Sequence, residues 1–203
     1  MRSNWPVLLV ASTAVALGAT GCADPAPAGD RVVRAQAYAV DSSPDSALAF
    51  FDNAYVFEGT VTAVRADRRV ADSLSGGRTI EAVYTPVTVV VERSYVGDAA
   101  AGSKVTVRSM GGKAGGLRYV IDEAPAKSTF TPGTRLVIFG GVRSTLDLEP
   151  EPAITPHFVY KAAGDVFVDV TYAETPDPAR TRIPAVDLRH KLEALSAKAG
   201  PRG

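Results

Sequence analysis

The chain has one cysteine, Cys22, one tryptophan, Trp5, two histidines and no excess of either charge among its 203 residues. A lone cysteine excludes an intrachain disulfide, a multi-cysteine zinc site and an iron–sulfur cluster. With 22 Lys+Arg against 22 Asp+Glu, the formal net charge of +0 lacks the basic footprint of a nucleic-acid binder. His157 and His190 fall in different elements, without HxxxH or HExxH spacing, so no metal-ligand pattern is present. The carboxylates Asp122, Glu123, Asp147, Glu149 and Glu151 lack the 1, 3, 5 spacing of a calcium loop and read as solvated. There is no Gly-x-Ser-x-Gly elbow, and nucleophilic catalysis has no recognisable centre. The chain therefore reads as non-enzymatic and free of cofactors.

What is present begins with an export signal. Residues 1–21 carry a single charge, Arg2, then an apolar run over 7–17 and a series of small residues ending at Cys22. At about 1.5 Å per residue, that run reaches roughly half of a hydrocarbon core of about 30 Å, too short for a membrane-spanning helix. Ala19-Thr20-Gly21-Cys22 resembles the lipobox of bacterial lipoproteins, with Ala19 where the box usually has leucine. The resemblance implies that Cys22 is diacylated and becomes the first residue of the mature chain. Two acyl chains anchor stably where one does not. The other outcome of the same small-residue run is ordinary cleavage and a secreted protein with a free thiol. Removing Arg2 with the signal leaves 21 basic against 22 acidic groups, so electrostatics names no partner.

Residues 22–45, rich in Ala, Pro, Asp and Ser, read as a flexible spacer, with Val32, Val33 and Tyr38 leaving room for one short strand. Residues 46–197 carry the folding patterns, and 198–203 are a tail. A helical turn is expected over 46–52. Strands are expected over 56–64, 80–92, 104–109, 116–122, 135–139, 157–161 and 165–172, separated by Gly- and Pro-containing turns. In the first, Phe57, Gly59, Val61 and Ala63 alternate with Glu58, Thr60 and Thr62, the pattern of a half-buried strand. Val83, Thr85, Val87, Val89 and Val91 share a face, and their β-branching disfavours helix. Pro86 cannot donate to a ladder and predicts an edge or a bulge. Residues 136–139 are continuously apolar, as in a strand covered on both faces. Glu149, Pro150, Glu151, Pro152 and Pro156 predict a rigid connecting loop. Leu188, Leu192 and Leu195, at i, i+4 and i+7 after Pro184 and Asp187, predict an amphipathic C-terminal helix, with Val186 on its apolar side. Together these give a mainly β fold, an antiparallel β-barrel or alternatively a β-sandwich, closed by that helix.

Several of these segments carry a family resemblance. Phe57-Glu58-Gly59-Thr60-Val61, the stretch 84–92, Tyr95-Val96-Gly97, Val105-Thr106-Val107-Arg108 with Gly111-Gly112, and the stretch 130–139 resemble a largely uncharacterised family of exported proteins of Gram-positive, especially actinobacterial, bacteria. The resemblance covers about residues 55–140 and implies an OB-like or netrin-like barrel, which speaks to fold more than activity.

Tyr84, Arg108, Lys113, Arg118 and Tyr119 form the candidate ligand face, since tyrosine planes and arginine donors suit a glycan. Oligonucleotide stacking on the same face fits neither the charge nor the export signal. The loop Gly111-Gly112-Lys113-Ala114-Gly115-Gly116 has Ala114 where a phosphate loop needs Ser or Thr, and a strand pattern follows it. It reads as a turn or bulge needing positive φ, and the second reading is a backbone nest that holds an anion with Lys113. The expected function is an envelope-anchored interaction module, lipid-tethered at Cys22, whose partner is an envelope protein or glycan. A protease-inhibitor module is the alternative that the barrel resemblance implies, and an envelope hydrolase is a third reading.

Overall fold

The computed structural model describes residues 29–35, 41–50, 54–73, 79–121, 124–142, 153–172 and 182–199. Cys22 and the signal segment, Tyr38, and the carboxylates at 122, 123, 147, 149 and 151 lie outside them. The described elements are, in chain order, β1 (Arg31–Ala35), α1 (Pro44–Ala49), β2 (Tyr55–Val64), β3 (Arg68–Ser73), β4 (Thr79–Val96), β5 (Lys104–Met110), β6 (Gly112–Ala114) and β7 (Leu117–Ile121). A 3-10 turn (Lys127–Phe130), β8 (Arg135–Val142), β9 (Ala153–Ala163), β10 (Val166–Asp169), β11 (Arg182–Pro184) and α2 (Ala185–Ala199) follow. The fold is mainly β, built of antiparallel sheets with a C-terminal helix.

Five strands pair in a ring. β2 pairs with β4, and β4 with β5, both antiparallel; β5 meets β9 in parallel through Thr106↔Ala153 and Val107↔Ile154. β9 pairs antiparallel with β8, and β8 returns antiparallel to β2. Each strand of the ring sends alternate side chains into one buried cluster: Phe57, Val61, Val87, Val89, Val91, Val107, Leu136, Ile138, Ile154 and Val159. Two glycines sit where neighbouring strands crowd. A Cβ on Gly59 would lie 2.5 Å from the Val90 carbonyl oxygen, and one on Gly140 2.6 Å from that of Thr155. Both coincide with register shifts, at β2–β4 and β8–β9. Bulges and glycine kinks of this kind let a sheet coil.

The opposite faces of β2, β8 and β9 are covered as well. Val56, Val137, Phe139, Phe158 and Tyr160 pack with Phe167 of β10, Ala47 of α1, and Leu188 and Leu192 of α2. Leu136, Val137, Ile138 and Phe139 are all fully buried, as their continuous run predicts. The leucine stripe of α2 docks as expected, but Val186 faces solvent at 65% exposure because it lies off the stripe of Ala185, Leu188 and Leu192 that packs on the core. α1 begins two residues before its expected start, with Pro44 at the first helical position and the Ser43 side chain accepting from the Ser46 amide.

Two sequence expectations need correction, and a third is met: Pro86 lies inside β4 with β5 on one side and, on the other, a break in the ladder that acts as a local edge. Its carbonyl accepts from the Arg65 amide, so its missing donor faces the gap where the neighbour changes from β2 to β3. Pro156 belongs to β9 and not to a connecting loop; it pairs with Gly140 at the register shift that steps over His157. Within the segment read as spacer, residues 31–35 form β1, joined in parallel to β7 from Arg31↔Leu117 to Ala35↔Ile121. Its partner is distant in sequence and its side chains are largely exposed, so no local periodicity marks it.

Candidate ligand cleft

The second sheet, β1-β7-β6, hangs beside the outer end of β4 and positions the candidate site. Gly115 and Gly116, with φ of +55° and +70°, turn β6 back into β7, so the glycine-rich loop is a hairpin turn. The antiparallel register sets Gly112 opposite Tyr119 and Lys113 opposite Arg118. Between this hairpin, the β2–β3 connection and the segment 124–127 lies a cleft of about 520 Å³, whose lining includes Asp30, Asp67, Lys113, Arg118, Tyr119 and Lys127. That volume falls within the roughly 300–1,000 Å³ of small-molecule sites.

The wall of the cleft is fixed by Asp67. Its carboxylate accepts from the Thr85 hydroxyl at 2.6 Å, from the Lys113 amide at 2.8 Å, and from Lys127 Nζ at 2.6 and 2.8 Å. Burial opposes its ionisation, but the donors from Lys127, Thr85 and Lys113 outweigh burial and hold its pKa below the ordinary aspartate value. The anion bound by the backbone of the glycine-rich loop is therefore the chain's own Asp67. Gly112 is required there: its φ is +131°, and a Cβ would run into Asp67 Oδ2 and lie 2.7 Å from Lys127 Nζ. Gly112→Ala is expected to cost about 1–3 kcal/mol, read as a lowered midpoint in thermal unfolding, because the side chains it meets cannot swing away without breaking this network.

Of the five candidate ligand residues, Lys113, Arg118 and Tyr119 come together in the cleft. Tyr84 and Arg108 do not reach the surface, since both are fully buried. The Arg108 guanidinium lies 5.5 Å over the Tyr84 ring, and its Nη1 donates to the Thr155 hydroxyl at 3.3 Å. Tyr84 packs with Val70, Ala82, Met110 and Tyr119, so it supports the cleft from beneath. The alternation that places Arg108 on a polar face is real, but the Tyr84 ring of β4 and Thr155 of β9 lie against its side chain.

Sequence reasoning misses Asp30, Asp67 and Lys127. Asp67 sits within Arg65-Ala66-Asp67-Arg68-Arg69, which looks like a solvated turn, and its contact with Lys113 spans 46 residues. No local spacing signals such a contact.

A second carboxylate, Glu58, is fully buried although its place in the β2 alternation predicts exposure. Arg135 Nε donates to it at 2.5 Å, Arg189 Nε at 3.0 Å and Arg189 Nη2 at 2.8 Å, and the Tyr95 hydroxyl lies at 3.4 Å. It ties α2 to β2 and β8. Burial works against its charge, yet the hydrogen bonds from Arg189 and Arg135 hold its pKa below the ordinary glutamate value.

No group of three or more His, Cys, Asp or Glu side chains able to hold a metal ion occurs among the described residues. No helix among them is long and apolar enough to cross a membrane. Comparison of the chain with protein families, with curated proteins and with solved structures finds no match to any of them.

Proposed function

We propose that the protein is a binding module of the cell envelope, tethered through lipid on Cys22 at the outer face of the cytoplasmic membrane, and that the cleft bearing Lys113, Arg118 and Tyr119 is its binding surface. The observation that carries this reading is the convergence, from β6 and β7, of three residues of the expected ligand face on one cleft of suitable size. The short apolar run ending at Cys22 supports the tether, and the five-strand ring supports reading the fold as an OB-type barrel. Lys113 and Arg118 serve binding without building the fold, because both are exposed.

The full-length protein, immobilised from detergent, is expected to retain envelope glycan from a cell extract. A Lys113→Gln/Arg118→Gln variant with an unchanged melting temperature is expected to retain about tenfold less, equivalent to about 1.4 kcal/mol. Equal retention by both proteins removes the cleft from the reading. Mass spectrometry of the membrane fraction tests the tether separately, and a mature protein without acyl mass on Cys22 overturns it.

A further inference from the structure

We propose that Lys113 and Arg118 form a fork that takes the carboxylate of an acidic saccharide, and that Asp30 of the N-terminal segment competes for the same place; this rests on the cleft being the binding surface. The two cations are direct cross-strand partners on one face of the β6–β7 hairpin. Like charges placed directly opposite each other repel, and the arrangement favours an anion between them. One internal anion is already near: Asp30 Oδ2 lies 2.6 Å from Lys113 Nζ. Arg118 has no ion-pair partner among the described residues, and its planar guanidinium is suited to a bidentate carboxylate.

The cations of the cleft differ in how firmly they are held. Lys127 is locked to Asp67, which is also tied to β4 and β6, so displacing it would dismantle the cleft wall. Lys113 instead meets Asp30 in an ion pair whose lysine side chain is 66% exposed. Such a pair adds little to stability. Asp30 also precedes a strand of only five residues at a sheet edge, whose Val32 is 53% exposed. An incoming carboxylate can therefore replace Asp30 without disturbing the ring.

The saccharide part follows from the rest of the lining. A volume of about 520 Å³ exceeds the needs of a single small ion, and Met110, Tyr119 and Pro125 add apolar surface and a phenol to the lining, Tyr119 from the hairpin face opposite the fork. The CH faces and hydroxyls of sugar rings suit that mixture, whereas an inorganic anion would use only the fork.

Isothermal titration of the full-length protein in detergent, with trigalacturonate, neutral galactotriose and inorganic phosphate as probes, tests the proposal. Trigalacturonate is expected to bind with an affinity that falls as salt rises, and the other two about tenfold more weakly or less. Arg118→Gln should weaken trigalacturonate about tenfold, Arg118→Lys should restore only part of that loss, and Asp30→Asn should tighten binding severalfold. Galactotriose binding as tightly as trigalacturonate overturns the carboxylate assignment, and phosphate doing so overturns the saccharide assignment. Weaker binding in Asp30→Asn overturns the competition. If no probe binds while envelope glycan retention still depends on Lys113 and Arg118, this proposal fails and the cleft reading stands; if that dependence is also missing, both fail.

Discussion

Glu58→Ala is expected to destabilise the protein by about 3–5 kcal/mol, the usual cost of removing one partner from a buried charge cluster. Three residues on three elements are built around this carboxylate: Arg135 on β8, Arg189 on α2 through two donors, and Tyr95 on β4. Without it the two guanidiniums confront each other at the helix–sheet junction. Their own side chains are 40% and 24% exposed, so part of their charge can turn to water, which places the effect toward the lower end of that range. The damage should spread through α2, whose Leu188 and Leu192 are buried against the same sheet face. Amide exchange on α2 is accordingly expected to accelerate before that of the ring strands.

The same carboxylate gives the protein an acid limit with a definite sign. Its folded pKa is depressed relative to an unfolded value of about 4.3, so its contribution is fully present above that pH and is lost as pH falls through the folded value. Asp67 is depressed in the same direction and adds to the slope. Glu58→Gln keeps the shape and removes the titration. It should be less stable than the parent near neutrality and show a shallower loss of stability below about pH 4. Equal acid slopes in urea unfolding for the parent and Glu58→Gln would remove Glu58 as the source.

Period-2 alternation locates most of the ring strands, and the leucine spacing locates α2, because each of those elements buries one regular face. The same patterns fail where burial is imposed from far away. Glu58 and Arg108 occupy polar positions of alternating strands, yet elements remote in sequence meet them: α2 at Glu58, and β4 and β9, through Tyr84 and Thr155, at Arg108. β1 fails for the opposite reason. Its ladder to β7 is backbone hydrogen bonding, which leaves no side-chain pattern to read. At the cleft, residue types mark Lys113, Arg118 and Tyr119 as a group, and the tight hairpin brings them together. Asp30 and Asp67 join them only through contacts that close across the chain.

Asp67→Ala is the second large effect, expected at about 2–4 kcal/mol, since hydrogen bonds to a charged group contribute about 1.5–3 kcal/mol each and the Lys127 contact is partly solvated. The carboxylate connects the β2–β3 turn, β4, β6 and the 3-10 turn, four places that share no other such hub among the described residues. Its loss leaves the Lys113 amide without its acceptor and frees Lys127 to compete with Lys113 and Arg118 for any anion. Two measurements should therefore move together: the thermal midpoint falls, and amide exchange accelerates in β6 and β7 while the ring strands Phe57–Val61 and Leu136–Phe139 keep their protection. Asp67→Asn, which retains an acceptor for the Lys113 amide but not the charge facing Lys127, is expected to fall between the parent and alanine. Uniform acceleration across the ring and the hairpin would mean that Asp67 supports the whole fold, and the cleft could then not be altered independently of the sheet that carries it.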